Sequence, residues 1–507
     1  MKTFRREICS LYLLVVFLLI PTVTNIKYQD LIDIKSTVFL ITFGIFFGCF
    51  VLYLIGQAVS NHKMGLPMPK PKELAASLNP LDWSLIAFAA IILLSAVTSR
   101  FPFADVMLGT NAQLVGGLML LSLILAYFML SRGAEAARMG YIYIFYASSL
   151  FVIIFGTLNK MQIDPLGMHK ENVVDTFSFM TSTIGNIDYY YGYSALVLMF
   201  FAAYRADMDW DWKSTAVDLL LVCCFINIWT ASASGVYAGL GFGFLALLLM
   251  SLSSFTRIRN LFWLGILGGI GGLVAEILHH FKPVIYYHLE SEISGKFQLH
   301  HFWALLGVAS LAGWLWLGKA ERENKDFDLM NRLSTAYKPL LFGSSIFMVT
   351  IEYLVLFVRR VQELTGRAYI WDDMKAAFPM LTLREKLIGA GPGSLDFALL
   401  DLNIHSPEDL YFLTAHNEIF EFWFLLGFIG ALIYISVIVC FFITYYRSVL
   451  ANTTADVPYY REMCCCGVLF ATFVGQAMTN GPYPVTTIIV YTVLALYRRY
   501  QIPDEEG

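Results

Sequence analysis

Ser36-Thr-Val-Phe-Leu-Ile-Thr-Phe-Gly-Ile-Phe-Phe-Gly-Cys-Phe-Val-Leu-Tyr-Leu-Ile-Gly-Gln-Ala58 is a run of 23 residues without one formal charge. Coiled as a helix at about 1.5 Å per residue, it spans a hydrocarbon core of roughly 30 Å. Lipid offers the backbone no hydrogen-bond partner, so only helices and closed barrels cross it. Long apolar runs, rather than alternating ten-residue strands, exclude an outer-membrane barrel. Fourteen such runs are read, near residues 10–26, 36–58, 82–99, 113–131, 140–158, 188–204, 215–231, 234–253, 260–279, 302–318, 338–358, 417–446, 464–478 and 483–498. The last two share the short turn Asn480-Gly-Pro-Tyr-Pro484. The first follows Lys2, Arg5 and Arg6, as a signal peptide would. No small-residue cleavage site follows Pro21-Thr-Val-Thr24, so it reads as a retained helix.

Composition agrees with an all-α polytopic membrane protein. Of 507 residues 58% are hydrophobic and only 14% charged, and mean hydropathy is +0.64, more apolar surface than soluble domains can bury. A net charge of −4 excludes a nucleic-acid binder with a basic face, and 41 Phe, 28 Tyr and 10 Trp exclude disorder for the bulk of the chain.

Sidedness follows from Lys and Arg, which concentrate in cytoplasmic loops. With the N-terminus inside, the inside segments hold 21 of the 34 basic residues. Both termini are therefore expected in the cytoplasm. Residues 1–358 then carry about 11 spans, residues 359–416 form one large extracytoplasmic loop, and residues 417–507 add three spans. All eight cysteines (Cys9, Cys49, Cys223, Cys224, Cys440, Cys464, Cys465 and Cys466) fall in spans or at their ends, which argues against a disulfide framework. The Cys464–Cys466 run reads as small packing residues, with palmitoylation or metal binding as the alternative.

The external loop carries the chemistry. A connection of this length is usually functional or disordered, and this one is not composed like a disordered segment. Arg367-Ala-Tyr-Ile-Trp-Asp-Asp-Met-Lys-Ala-Ala-Phe378 reads as an amphipathic helix with Ile370, Trp371, Met374, Ala377 and Phe378 on one face, ended by Pro379 and expected along the outer membrane surface. Gly389-Ala-Gly-Pro-Gly393 is a tight turn allowing close backbone approach. Arg359, Arg360, Arg367, Lys375, Arg384 and Lys386 fill residues 359–386, whereas residues 387–416 hold four acids and no Lys or Arg. Arginines gathered on the side where basic residues are normally depleted call for an anionic partner, a lipid headgroup or a lipid-linked pyrophosphate. For Arg359 and Arg360 the alternative is a helix-end anchor. Thr414-Ala-His-Asn-Glu418 opens the twelfth span. With Thr414 as N-cap, His416 sits in the first turn, where the helix dipole disfavours imidazolium and leaves a neutral base. Its alternative is a structural interfacial histidine.

At these residues the sequence resembles the O-antigen ligase/polymerase superfamily of polytopic membrane glycan-assembly proteins. The likeness rests on Thr365-Gly-Arg367…Trp371, on Gly389-x-Gly-Pro-Gly393, and on His416-Asn417 followed by Gly427-x-x-Gly430. Weaker echoes are Ser95…Ser99-Arg-Phe-Pro102 leading to Gly116-Gly-Leu118, and Thr183-Ile-Gly-Asn186. Together these touch residues 90 to 445, with specific motifs in the external loop alone. The chain departs from the pattern in two places. Thr230-Ala-Ser-Ala-Ser-Gly235 lacks the Arg that many relatives carry, and Leu425 stands where many have an acid, with Glu418 and Glu421 near enough to compensate. These departures leave the choice of donor and acceptor open.

The resemblance implies a glycosyltransferase-C-like membrane fold and transfer or polymerisation of glycan from a polyprenyl-pyrophosphate donor, on the outer face of the cytoplasmic membrane, to a glycan or lipid acceptor. It implies His416 and Arg367 as catalytic and no metal or other cofactor. Arg384 or Arg360 is inferred as a second pyrophosphate clamp, with Asn417, Glu418, Gly391 and Gly393 supporting. Other partners expected are membrane lipids, and no nucleic acid.

Three further signals bear on function. His279-His280 and His300-His301 flank 19 residues and invite a zinc site, but lack the accompanying acid-and-His spacing. Tyr189-Tyr-Tyr191 reads as part of an aromatic belt, with a glycan-stacking platform as the alternative. A transporter or flippase of lipid-linked glycan is the rival, but such proteins place ionisable groups or broken helices near the midplane, and Asp218, Glu276 and Glu352 each fall nearer a span end. A non-catalytic envelope-assembly scaffold is the third reading.

Overall fold

The computed structural model describes residues 2–25, 28, 31–67, 70–109, 116–136, 140–169, 180–231, 233, 235–252, 254–281, 300–323, 365–404, 414–450 and 457–502. Within them the chain is almost wholly helical, with α1 (Lys2–Leu14) carried on to Thr22 through a π-helical turn, α2 (Leu31–Lys63), α3 (Pro80–Thr98), α4 (Phe103–Leu108), α5 (Gly117–Gly133) and α6 (Gly140–Lys160). The order continues with α7 (Ile187–Ala206), α8 (Trp212–Trp229), α9 (Gly235–Ser251), α10 (Phe255–Phe281) and α11 (His300–Arg322). Three short helices follow, α12 (Thr365–Ala377), α13 (Leu383–Ile388) and α14 (Leu395–Asp401), before α15 (Glu418–Tyr445), α16 (Tyr460–Ala477) and α17 (Pro484–Tyr500). Among the described residues seven helices are long and apolar enough to cross a membrane, and Gly117–Gly133 and Gly235–Ser251 are shorter apolar helices. The chain is an all-α, multi-pass membrane protein. The run at 338–358, Arg359, Arg360, Glu352, His288 and His405 lie outside the described residues.

Helix starts follow local chemistry. Asn79 caps α3 by accepting from Asp82 N at 2.8 Å, while Asp82 returns the bond to Asn79 N at 3.0 Å, with Pro80 at the first position. Asp211 and Ser214 do the same for α8. A two-stranded pairing, Met180 to Asn186 and Thr181 to Gly185, folds Thr183-Ile-Gly-Asn186 against α7, which Asn186 caps.

In lipid, association rests on close packing and polar contacts rather than on hydrophobic burial. Helices α7, α16 and α17 are buried on nearly every face and form the centre. Small residues let backbones meet around them: a Cβ on Gly239 would stand 2.9 Å from Thr472 O, and one on Gly475 2.6 Å from Ala238 O. Cys464, Cys465 and Cys466 are buried in α16, and all eight cysteines are free. The tyrosine triplet is corrected. Tyr189, Tyr190 and Tyr191 are interior, not a lipid-facing belt. Tyr189 stacks on Tyr483 at 3.7 Å, Tyr190 donates to Asn227 Oδ1, and the Lys160 ammonium lies 4.6 Å over the Tyr191 ring.

Buried charges gather at helix ends. Asp82 accepts from Tyr127 Oη at 2.6 Å and pairs with Arg132 at 3.3 Å and Arg498 at 3.0 Å. Arg205 meets Asp218 at 2.8 Å, and Asp207 holds Arg257 at 2.7 Å and Arg461 at 3.2 Å. Two lysines instead sit on terminal carbonyls, where the helix dipole is negative. Lys35 Nζ donates to Ile20 O at 2.7 Å and Val23 O at 2.8 Å, and Lys160 Nζ to Asn227 O at 3.0 Å.

Candidate active site

The expected unbroken span at 417–446 is interrupted. Gly427 takes φ 71° and ψ −176° inside α15, a region essentially restricted to glycine. The break frees the carbonyls of Phe424 and Leu425 from the helical ladder. They accept instead from Ala390 N at 3.2 Å and Gly391 N at 3.0 Å, and Leu425 O also from Ser95 Oγ at 3.0 Å. Every freed group named here is thus paired within protein, which is what permits irregular backbone at membrane depth.

The glycine turn reaches this break because it has no side chains there. Gly389, Gly391 and Gly393 have φ of 85°, 130° and 65°. A Cβ on Gly389 would lie 2.0 Å from Leu425 O, and one on Gly393 2.7 Å from Gly109 Cα. Ser99 Oγ donates to Ala390 O at 2.6 Å. The segments Ser95–Arg100 and Gly389–Gly393 and the glycines Gly109, Gly116 and Gly427, scattered in sequence, therefore meet.

Arg384 lies on α13, whose capping box pairs Thr382 with Glu385. Glu385 Oε1 faces Arg100 Nε at 3.3 Å and Arg384 Nη2 at 3.5 Å, and Arg384 Nη1 donates to Thr98 Oγ1 at 3.2 Å. Arg100 also meets Asp401 at 3.1 Å. Burial acts to raise the Glu385 carboxyl, but the Thr382 hydrogen bonds, Arg100 and Arg384 outweigh it and hold it below its ordinary value. Burial, with Asp372 beside it, raises the Asp373 carboxyl. The Arg384 guanidinium is thus already engaged with an internal carboxylate.

The amphipathic helix expected over Arg367–Phe378 forms over Thr365–Ala377, and Phe378–Met380 closes it in a 3-10 turn around Pro379. Its apolar face is covered by protein rather than laid along lipid. Ile370, Trp371, Met374 and Ala377 are buried, Trp371 Nε1 donates to Ala415 O at 2.8 Å, and Trp371 meets Phe420 edge-on at 5.4 Å. Arg367 lies on this helix one turn before Trp371; its side chain lies outside what the structure describes.

The cap at the start of α15 is also corrected. Asn417, not Thr414, is the N-cap, accepting from Phe420 N at 3.0 Å. Thr414 Oγ1 instead accepts from His416 N at 3.0 Å, a local turn that competes with helix. His416 therefore precedes the first turn and holds a left-handed φ of 47°, uncommon outside glycine. Asn417 Nδ2 donates to Met478 O at 2.9 Å, tying the segment to the 478–483 turn. Behind it, Glu418 accepts from Tyr434 Oη, bracing the two halves of the broken helix, and Glu421 accepts from Ala415 N at 2.9 Å. Both carboxylates are buried.

His416, Asn417, Glu418 and the helix bearing Arg367 are thus one group; Arg384, Gly391 and Gly393 are another. They share α15, with nine residues from His416 to Leu425, or roughly 13 Å along a helix. Ser95, Ser99 and the 478–483 turn are participants to which the sequence assigns no role, and Glu421, expected only as a substitute for the acid missing at Leu425, joins them. Glu421 stands one turn beyond Glu418, and that spacing of two acids on one apolar helix face was the available signal. Among the described residues no three His, Cys, Asp or Glu side chains come together as a metal cage; the side chains of His279, His300 and His301 lie outside the description.

No family model matches this chain, and no curated protein matches it.

Proposed function

We propose that the protein is a membrane glycosyltransferase of the O-antigen ligase/polymerase type, acting on the outer face of the cytoplasmic membrane. One observation supports this above the others. The motif segments named in the sequence, far apart in the chain, converge around one broken helix. Ser99 bonds Ala390, Ala390 and Gly391 bond the carbonyls ahead of Gly427, and Trp371 holds Ala415 beside His416.

In this reading the chain makes fourteen crossings with both termini in the cytoplasm and residues 359–416 outside. The partition of contacts supports the alternation. Arg6 with Glu135, Arg132 and Arg498 with Asp82, and Arg257 and Arg461 with Asp207 join only segments assigned inside. The contacts of Ser99, Gly389–Gly393 and Trp371 join segments assigned outside to one another or to the outer halves of the spans 82–99 and 417–446, and none reaches a segment assigned inside.

The chemistry is substitution at the anomeric carbon of a polyprenyl-diphosphate-linked glycan. The acceptor hydroxyl oxygen bonds that carbon while its bond to the diphosphate oxygen breaks. The electron pair leaves with the lipid diphosphate, and His416 takes the hydroxyl proton. Arg367 stabilises charge building on the leaving diphosphate, with Arg360 or Arg384 as second clamp. Replacing Arg367 and His416 singly by alanine tests this in membranes. Glycan transfer is lost while protein level and lipid-linked precursor export persist. Loss of export would favour a flippase, and unchanged transfer would refute the assignment.

A further inference from the structure

We propose that Glu421 is the positioning residue of this site, holding His416 in place through the backbone of Ala415. The inference rests on the glycosyltransferase reading only for its kinetic arm.

A left-handed residue other than glycine costs about 1–3 kcal/mol and persists only where its surroundings over-determine it. Around His416, with its φ of 47°, the restraints are explicit. Ala415 is clamped on both polar atoms, its N–H by Glu421 Oε2 at 2.9 Å and its carbonyl by Trp371 Nε1 at 2.8 Å. Thr414 Oγ1 takes the His416 N–H, and Asn417 is held by Met478 O. Gly481 closes the other side, since a Cβ there would lie 1.8 Å from Thr414 Oγ1 and 3.0 Å from Glu421 Oε2. Of these restraints Glu421 alone brings a carboxylate, 4% exposed, to a backbone N–H. A buried backbone N–H that loses such an acceptor costs about 1–3 kcal/mol. The neighbouring acid Glu418 is turned away, to Tyr434. The two carboxylates therefore divide the work. One braces the helix break and the other aims the histidine.

The test uses the full-length protein in proteoliposomes and two substitutions of similar size. Glu421→Gln keeps an oxygen for the Ala415 N–H, and Glu421→Met removes it. The first readout is kcat and KM for a lipid-linked glycan donor. The second, independent of turnover, is the rate at which diethyl pyrocarbonate modifies His416, followed by mass spectrometry. Glu421→Met is expected to lower kcat about 100-fold, the size of effect that a displacement of about 1 Å produces. Donor KM should stay within about twofold, because binding lies elsewhere. The His416 modification rate should change, and Glu421→Gln should resemble wild type in both readouts. Wild-type His416 reactivity in Glu421→Met overturns the proposal, as does equal loss of kcat in both variants. If Glu421→Met yields no folded protein, Glu421→Ala is read in its place by the same criteria. A wild-type protein without transfer activity, but with the expected modification pattern, would refute the enzymatic reading and leave the positioning role standing.

Discussion

Exchanging Gly427 for alanine should unseat the contact around which the site is assembled. With φ 71° and ψ −176°, an alanine held in that region costs about 1–3 kcal/mol. Its Cβ would also stand 2.3 Å from Ile388 N and 2.4 Å from Leu387 O. Both are backbone atoms, so relief requires the whole 387–391 segment to retreat, and overpacking of this kind adds about 1–3 kcal/mol. The expected loss is therefore about 2–6 kcal/mol. Gly389 is the facing half of the same contact, its added Cβ lying 2.0 Å from Leu425 O. The double variant should lose less than the sum of the singles, because either one already parts the two segments. Gly48→Ala is the control. It lies in α2 with nothing within 4 Å of the added carbon, so alanine there is neutral or stabilising by up to about 1 kcal/mol. Thermal unfolding of detergent-solubilised protein reads the difference. Gly427→Ala melting together with Gly48→Ala, or strict additivity of Gly389→Ala with Gly427→Ala, would refute the reasoning.

Three other outcomes are expected. Asp82→Ala leaves the 9% exposed Arg498 without its carboxylate, a loss of about 3–5 kcal/mol visible as a lower melting temperature that a second change, Arg498→Met, partly restores. Trp371→Phe keeps the ring but removes the donor to Ala415 O, costing about 1 kcal/mol in the melting curve and lowering transfer through the His416 segment. Glu385, held below its ordinary value, contributes stability that is complete above the unfolded carboxyl value of about 4.3 and disappears as pH falls through the lower folded value. The stability gap between wild type and Glu385→Gln should therefore be flat at neutral pH and close in acid; a gap that opens in acid contradicts the sign.

The helical, membrane-embedded class was legible because apolar length is a strong local signal, and 36–58 alone nearly decides it. The amphipathic face at 370–378 was legible for the same reason: period alone picks out Ile370, Trp371, Met374 and Ala377. What covers that face was not, since lipid and the start of α15 are equally apolar to a one-dimensional reading. The cap at 414–417 was misplaced because Thr and Asn are both good caps, and the choice between them depends on where Ala415 is tied in three dimensions. The break at Gly427 was hidden inside an uninterrupted apolar run, as its partner carbonyl acceptors are used by a turn 36 residues earlier in the chain, at Gly391. Tyr189–Tyr191 misled because a tyrosine cluster at a span end looks the same whether it faces lipid or Tyr483 and Asn227.

The central claim is tested most directly by mass balance in proteoliposomes holding purified protein, a polyprenyl-diphosphate-linked glycan and an acceptor. The account predicts that wild type releases polyprenyl diphosphate in step with new glycosidic bonds, and that His416→Ala and Arg367→Ala release almost none. Equal release by either variant, or glycan that crosses the bilayer while still joined to its lipid diphosphate, would contradict it.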